Sequence, residues 1–288
     1  MPAGSPEMLR PFLFNRVLSL LAGLICHPLS AEDTRVCVQD VFYRTDIETP
    51  TPGMHDKCRL DISYPAGEKQ FATIVWFHGG GLTGGKRSIP PELERSGVAV
   101  VAASYRLHPD VNAPAYIEDA AAAIAWTVKH IEEHGGSADR IVVSGHSAGG
   151  YLAAMTSFDK KYLQAFGVDA DSLAGVAPIS GQMITHFTIR KENGIEDNRP
   201  VIDAYAPLNH IRNNSPPILL VTGDREQELL GRYEENAYTW RMLMQLKHPD
   251  VTLHELGGYD HGQMVRPAFP LLLKFVDRVT VVDAPSAK

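Results

Sequence analysis

A serine sits at the centre of Gly145-His146-Ser147-Ala148-Gly149, a G-x-S-x-G pattern that follows the apolar run 141–144 and leads into helix formers from 148. A strand that bends sharply into a helix needs small residues around the bend. The bend lifts the serine hydroxyl clear of the sheet. It also aims the Ala148 N–H and the helix N-terminus at any negative charge that develops there. His78-Gly79-Gly80-Gly81 follows a second apolar run, 72–77, and its bare amides can approach a substrate oxygen closely. A phosphate cradle is disfavoured, because no Lys-Ser/Thr pair follows in P-loop spacing. His78 is read as holding this loop by hydrogen bonds. A serine hydroxyl is a poor nucleophile near neutral pH until a histidine takes its proton. Among 12 histidines, His261 has the right setting, in Gly257-Gly258-Tyr259-Asp260-His261-Gly262 between the last strand and the last helix. His254 lies within a strand, and His146 faces the wrong way off the turn. The acid that orients the base is expected after the strand 218–221, where Asp224 and Glu226 are both available. The chemistry implied is nucleophilic acyl transfer.

The elements that must position these groups alternate. Residues 36–43 and 59–64 read as an antiparallel pair, joined by a loop over 45–57 with Pro50, Pro52 and Gly53. Further strands are expected at 72–77, 97–104, 141–144, 173–179, 218–221 and 251–256. Helices are expected at 115–130, from 148 to 156, at 233–246 and at 267–276. Short apolar strands separated by helices imply a mostly parallel sheet covered on both faces. The segment 181–215, with Pro200 and Pro207, is the natural place for a small cap or binding segment.

The chain has 288 residues, enough for one large domain. Lys and Arg number 27 against 34 Asp and Glu, a net charge of −7, which disfavours a nucleic-acid surface. Three cysteines are too few for a disulfide scaffold. No spacing reads as a metal site; His130 and His134 lack a third ligand nearby and read as a solvated helix face. At the N-terminus, Arg10 and Arg16 precede the apolar run 17–26 and then His27-Pro28-Leu29-Ser30-Ala31. This is the order of a secretory signal peptide, with cleavage expected after Ala31 and residues 32–288 forming the mature domain, exported and without stable membrane insertion. Cleavage would leave Cys37 and Cys58, which could bridge in an oxidising compartment, although simple pairing of the hairpin does not bring them opposite each other.

The chain order of Ser147, then Glu226 or Asp224, then His261 resembles that of the α/β-hydrolase superfamily. Within it, the chain resembles the HGGG-type esterases related to hormone-sensitive lipase and to the BD-FAE and kynurenine-formamidase group. The residues that carry the resemblance are His78 to Gly81, Tyr105-Arg106-Leu107 followed by Pro114 and Asp119, Gly145 to Gly149, and Asp260-His261-Gly262. The resemblance implies an α/β-hydrolase fold with a central sheet of about eight strands and a small cap at 181–215. It implies an oxyanion hole from Gly79, Gly80 or Gly81 plus Ala148. It also places the acid in a G-x-x-D pattern, whose last position here is Glu226 and not Asp; Glu226 therefore ranks ahead of Asp224. Arg106 and Asp119 are expected to pair beneath the site loops.

The activity implied is that of a serine carboxylesterase on a small-molecule ester with a short acyl chain, working through an acyl-enzyme without metal or organic cofactor. Acetylated or feruloylated carbohydrate is a candidate substrate class. Leu82, Tyr151, Met183 and Tyr259, with Trp76, Phe187 and Tyr205, are candidates to line an apolar pocket. An arylformamidase or other amidase would use the same residues, and a non-catalytic binding protein of this fold is the alternative from another class.

Overall fold

The computed structural model describes residues 34–281. The expected signal peptide lies outside the described residues. One eight-stranded sheet runs in the order β1-β2-β4-β3-β5-β6-β7-β8. β1 (Arg35–Phe42) and β2 (Arg59–Pro65) are the antiparallel strands. β3 (Phe71–Phe77), β4 (Val98–Ala103), β5 (Gly136–His146), β6 (Gly175–Ile179), β7 (Ile218–Gly223) and β8 (Val251–Leu256) run parallel to one another.

The parallel strands are apolar throughout because both faces are covered. Phe71, Val75 and Phe77 of β3 enter one core with Ala99, Val101 and Ala103 of β4, under α2 (Ala115–His130) and α3 (Ala148–Phe158). The alternate residues Ala72, Ile74 and Trp76, with Val98, Val100 and Ala102, enter a second core beneath α7 (Val265–Thr280). α6 (Arg232–Gln245) places Leu243 against Ile218 and Leu220 of β7. The period of two along each strand thus feeds two cores from one sheet.

One local expectation is corrected. The 45–57 connection is not wholly loop: it contains α1 (Pro52–Lys57), capped by Thr51, whose side chain accepts from the Met54 amide at 3.4 Å. Pro52 suits the first turn of a helix, where its missing N–H goes unused. The segment 181–215 contains α5 (Phe187–Glu192) together with a short 3-10 turn, Pro207–His210. Among the described residues, Cys37 and Cys58 are both free. In the β1–β2 ladder Cys37 faces Ser63, whereas the Cys58 carbonyl receives the Tyr43 amide at the ladder's other end.

Candidate active site

Register brings the chemistry together. Phe77 of β3 pairs with Gly145, His146 with Ile179, Ile179 with Val221, and Gly223 with Leu256, so the C-terminal ends of the parallel strands align. The glycine loop, Ser147, Ser180, the 224–228 turn and His261 each follow one of those ends, the usual place for a site in such a sheet. Ser147 has φ 58° and ψ −116°, a strained backbone conformation for a residue with a side chain. Its amide donates to the Ile179 carbonyl at 2.9 Å, and its carbonyl accepts from Tyr151 at 2.9 Å. The bend presses β3 against α3: a Cβ on Gly149 would lie 2.0 Å from the Phe77 carbonyl oxygen.

His261 Nε2 lies 2.8 Å from Ser147 Oγ. On its other side, His261 Nδ1 lies 2.6 Å from Glu228 Oε1. This corrects the acid: neither Glu226 nor Asp224 reaches the imidazole. Asp224 is used in the loop itself, where its carboxylate accepts from the Glu226 amide at 2.9 Å and the Gly258 amide at 2.6 Å. Its carbonyl accepts from the amides of Gln227 and Glu228, which winds 224–228 into a turn. That turn leaves Glu226 exposed and sends Glu228 inward, its side chain 1% exposed.

Burial pushes the Glu228 pKa up. Hydrogen bonds from His261, Ser180 and the amides of Gly223 and Leu229 outweigh burial and hold it at about 2. An ionised Glu228 only accepts, so Nδ1 of His261 carries the proton and Nε2 is free to accept from the Ser147 hydroxyl. Ser180 escaped the sequence reading. Its hydroxyl donates to Glu228 Oε2 at 2.6 Å and lies 2.9 Å from His261 Nδ1, whose N–H is shared between it and Glu228. Its position at the C-terminal end of β6 was the available signal.

His146 does not face the Ser147 hydroxyl. Its ring packs on His261, with centroids 4.6 Å apart, and its Nε2–H donates to the His261 carbonyl at 2.9 Å. Burial, with the neighbouring His261 adding to it, lowers the His146 pKa to about 4 and keeps the ring neutral near pH 7. His78 holds its loop as the sequence indicates. Nδ1 donates to the Gly79 carbonyl at 2.7 Å, the ring stacks on Tyr105, and the Tyr105 hydroxyl donates to the His78 carbonyl at 2.8 Å. Asp119, wholly buried, accepts from Arg106 Nε and Nη2, both at 2.7 Å, and from Arg44 Nη1 at 2.6 Å.

Gly79 closes on the serine: a Cβ there would stand 3.3 Å from Ser147 Cβ. Gly80 (φ 118°) and Gly81 (φ 63°) turn the loop through conformations that favour glycine. Among the described residues, the amides of Gly79, Gly80, Gly81 and Ala148 have no acceptor within the protein. Donors left free beside a nucleophile can hold a developing oxyanion.

The expected pocket is largely corrected. Leu82, Tyr151 and Met183 are fully buried core residues, and Tyr151 donates its hydroxyl to the Tyr205 carbonyl at 2.8 Å. Trp76 packs edge-on against Phe269. Tyr259 is 41% exposed. Among the described residues, no group of three or more His, Cys, Asp or Glu could hold a metal ion.

Residues 60–176 match the BD-FAE family model. This stretch includes the glycine loop and the serine bend; Glu228 and His261 lie beyond it. The chain is 25% identical over 242 residues to esterase LipC of Mycobacterium tuberculosis, covering 77% of this chain and 56% of that protein. It is 41% identical over 91 residues to lipase 2 of Moraxella sp. (strain TA144), covering 30% of this chain and 21% of that one. The chain therefore spans less than two thirds of these relatives. A truncated carbohydrate esterase from gut microbiota superposes with a TM-score of 0.70 at 17% identity, covering 87% of this chain and 98% of that one. Esterase B of Lactobacillus rhamnosis superposes at 0.67 with 20% identity, covering 86% and 88%. These likenesses establish the fold. The chain therefore has the fold of those esterase structures, and its stretch 60–176, which holds the His78–Gly81 loop after β3 and the serine bend after β5, is similar to the BD-FAE family.

Proposed function

We propose that the protein is a serine carboxylic ester hydrolase in which Ser147 is the nucleophile, His261 the general base and acid, and Glu228 the orienting carboxylate. The observation that carries this reading is the continuous chain Ser147 Oγ–His261–Glu228, at 2.8 and 2.6 Å, beside unpaired amides. His261 Nε2 takes the hydroxyl proton as Ser147 Oγ bonds to the ester carbonyl carbon. The glycine-loop and Ala148 amides receive the oxyanion. The tetrahedral intermediate collapses, the alcohol leaves with the proton from His261, and Ser147 stays acylated. Water, deprotonated by His261, attacks the acyl-enzyme and releases the acid. Ionised Glu228 stabilises the imidazolium in both halves, and neutral His146 adds no competing charge beside it.

Short acyl esters, with acetylated or feruloylated carbohydrate as a candidate class, are the proposed substrates. The BD-FAE match and the similarity to a carbohydrate esterase support that choice. The segment 181–215 is proposed to contribute to binding. Export is proposed on the charged, apolar and small-residue order of 1–31. Hydrolysis of p-nitrophenyl acetate by the wild type, lost in Ser147→Ala, is the expected result. Turnover by Ser147→Ala near the wild-type rate would overturn the reading. A matched panel of esters and formamides then separates an esterase from a formamidase.

A further inference from the structure

Arg190 in α5 and Arg232 at the start of α6 are 4% and 2% exposed. Both line a cavity of about 210 Å³ with Phe187, Asp197, Leu229 and Leu230. Arg190 Nη1 donates to the Arg199 carbonyl at 2.6 Å, and Arg232 Nη1 donates to the Ser180 carbonyl. The Nε of each is buried without a partner. Among the described residues, neither guanidinium reaches a carboxylate at ion-pair distance. A buried, unpaired cation is costly to keep, and burial lowers the pKa of both arginines. Nearby acids compensate poorly. Glu235 is engaged by the amides of Met183 and Ile184 and by the Gln182 side chain, and its own pKa is raised by burial. Asp197 is exposed.

Three residues that line the cavity also touch residues of the active site. Leu229 follows Glu228 and donates its amide to Oε1 at 3.0 Å. The Phe187 ring lies 3.1 Å from where a Cβ on Gly81 would stand. Arg232 holds the carbonyl of Ser180, whose hydroxyl contacts Glu228 and His261. Leu229 and Leu230, 45% and 79% exposed, give the cavity an apolar rim.

We infer that Arg190 and Arg232 form a subsite for a carboxylate, so that the preferred esters carry a free carboxylate on the acyl or the alcohol part; this rests on the esterase reading above. A guanidinium presents paired donors that match a carboxylate, and apolar walls suit the stem that joins it to the reacting ester.

Two matched pairs of substrates test this. Mono-4-nitrophenyl adipate against 4-nitrophenyl hexanoate places the charge on the acyl side. 4-Acetoxybenzoate against 4-acetoxybenzamide places it on the alcohol side. The wild type is expected to favour the charged member of one pair by about tenfold or more in kcat/KM, and that pair identifies the side. Arg190→Met is expected to reduce the ratio by about tenfold. A ratio within one preparation is independent of the folded fraction, and Arg190→Gln serves if the methionine variant does not fold. Calorimetry on Ser147→Ala is expected to detect binding of monomethyl adipate but not of dimethyl adipate, lost when Arg190→Met is added. Equal rates within both pairs, or a ratio unchanged in Arg190→Met, would overturn the subsite while leaving the esterase reading intact. If no ester is hydrolysed but monomethyl adipate binds through Arg190, the esterase reading falls and the carboxylate site stands. If nothing is hydrolysed and nothing binds, both fall.

Discussion

The Ser180 hydroxyl bridges the two partners of the relay, 2.6 Å from Glu228 Oε2 and 2.9 Å from His261 Nδ1. It binds the carboxylate oxygen that His261 does not, and so fixes the rotation of Glu228. Its backbone is fixed in turn by a hydrogen bond from its amide to the Val221 carbonyl and by Arg232 at its own carbonyl. A hydrogen bond to a charged group contributes about 1.5–3 kcal/mol, so Ser180→Ala should lower kcat by roughly 10- to 100-fold. KM should move little, because the Ser180 hydroxyl is engaged by Glu228 and His261. A drop confined to KM would remove Ser180 from the relay.

The acids separate by position. Glu228→Gln leaves the imidazole without an ionised acceptor, and kcat/KM should fall by about 10³–10⁴. Glu226→Gln, at an exposed site, should stay within about twofold. Asp224→Asn weakens the loop that carries Glu228, so its expected signature is thermal: a fall of roughly 2–4 °C in Tm for each kcal/mol of capping lost. Activity measured well below Tm should remain close to wild type. A larger kinetic loss in Glu226→Gln than in Glu228→Gln would return the acid to the G-x-x-D position.

These differences mark what the sequence can carry. Apolar runs ending in glycine located the strands, and the strand ends located Ser147, His261 and the HGGG loop, because covered parallel strands leave a pattern that does not depend on distant contacts. The acid was legible only as a stretch. Which carboxylate turns inward depends on Asp224 reaching the Gly258 amide, a bond between segments 34 residues apart. Leu82, Tyr151 and Met183 look alike as pocket walls or as core, since an apolar side chain near a motif has the same sequence in either place. The direction of His146 off the turn, which takes it away from the Ser147 hydroxyl, carries it onto His261.

His146 links the site to pH. Its folded-state pKa of about 4 lies below the ordinary 6.5. Protonation therefore favours the unfolded chain: the stabilisation is fully present above pH 6.5 and is lost as pH falls through about 4. Buried His78, His186 and His248, also lowered, add to the wild-type slope and remain in a variant. His146→Asn should flatten the dependence of Tm on pH between 6.5 and 4 without abolishing it. Losing the bond to the His261 carbonyl should also lower kcat by about tenfold. An unchanged slope would mean that His146 is not held neutral by its surroundings.

Gly149 tests the close approach on which the bend depends. A Cβ there would meet the Phe77 carbonyl oxygen at 2.0 Å and the His78 carbonyl oxygen at 2.8 Å. Both are backbone atoms, in β3 and in the loop whose amides face Ser147, so neither can swing aside. Relief would require moving α3 away from β3, which disturbs the core under Tyr151 and Leu152 as well as the loop. Gly149→Ala should therefore destabilise the protein by about 3 kcal/mol or more. Gly84 is the control in the same region: a Cβ there meets nothing closer than the Gly80 carbonyl oxygen at 3.9 Å. Gly84→Ala should stay within about 0.5 kcal/mol of wild type. Urea unfolding of the two variants measures the difference, and equal midpoints would show that β3 and α3 are less tightly apposed than described.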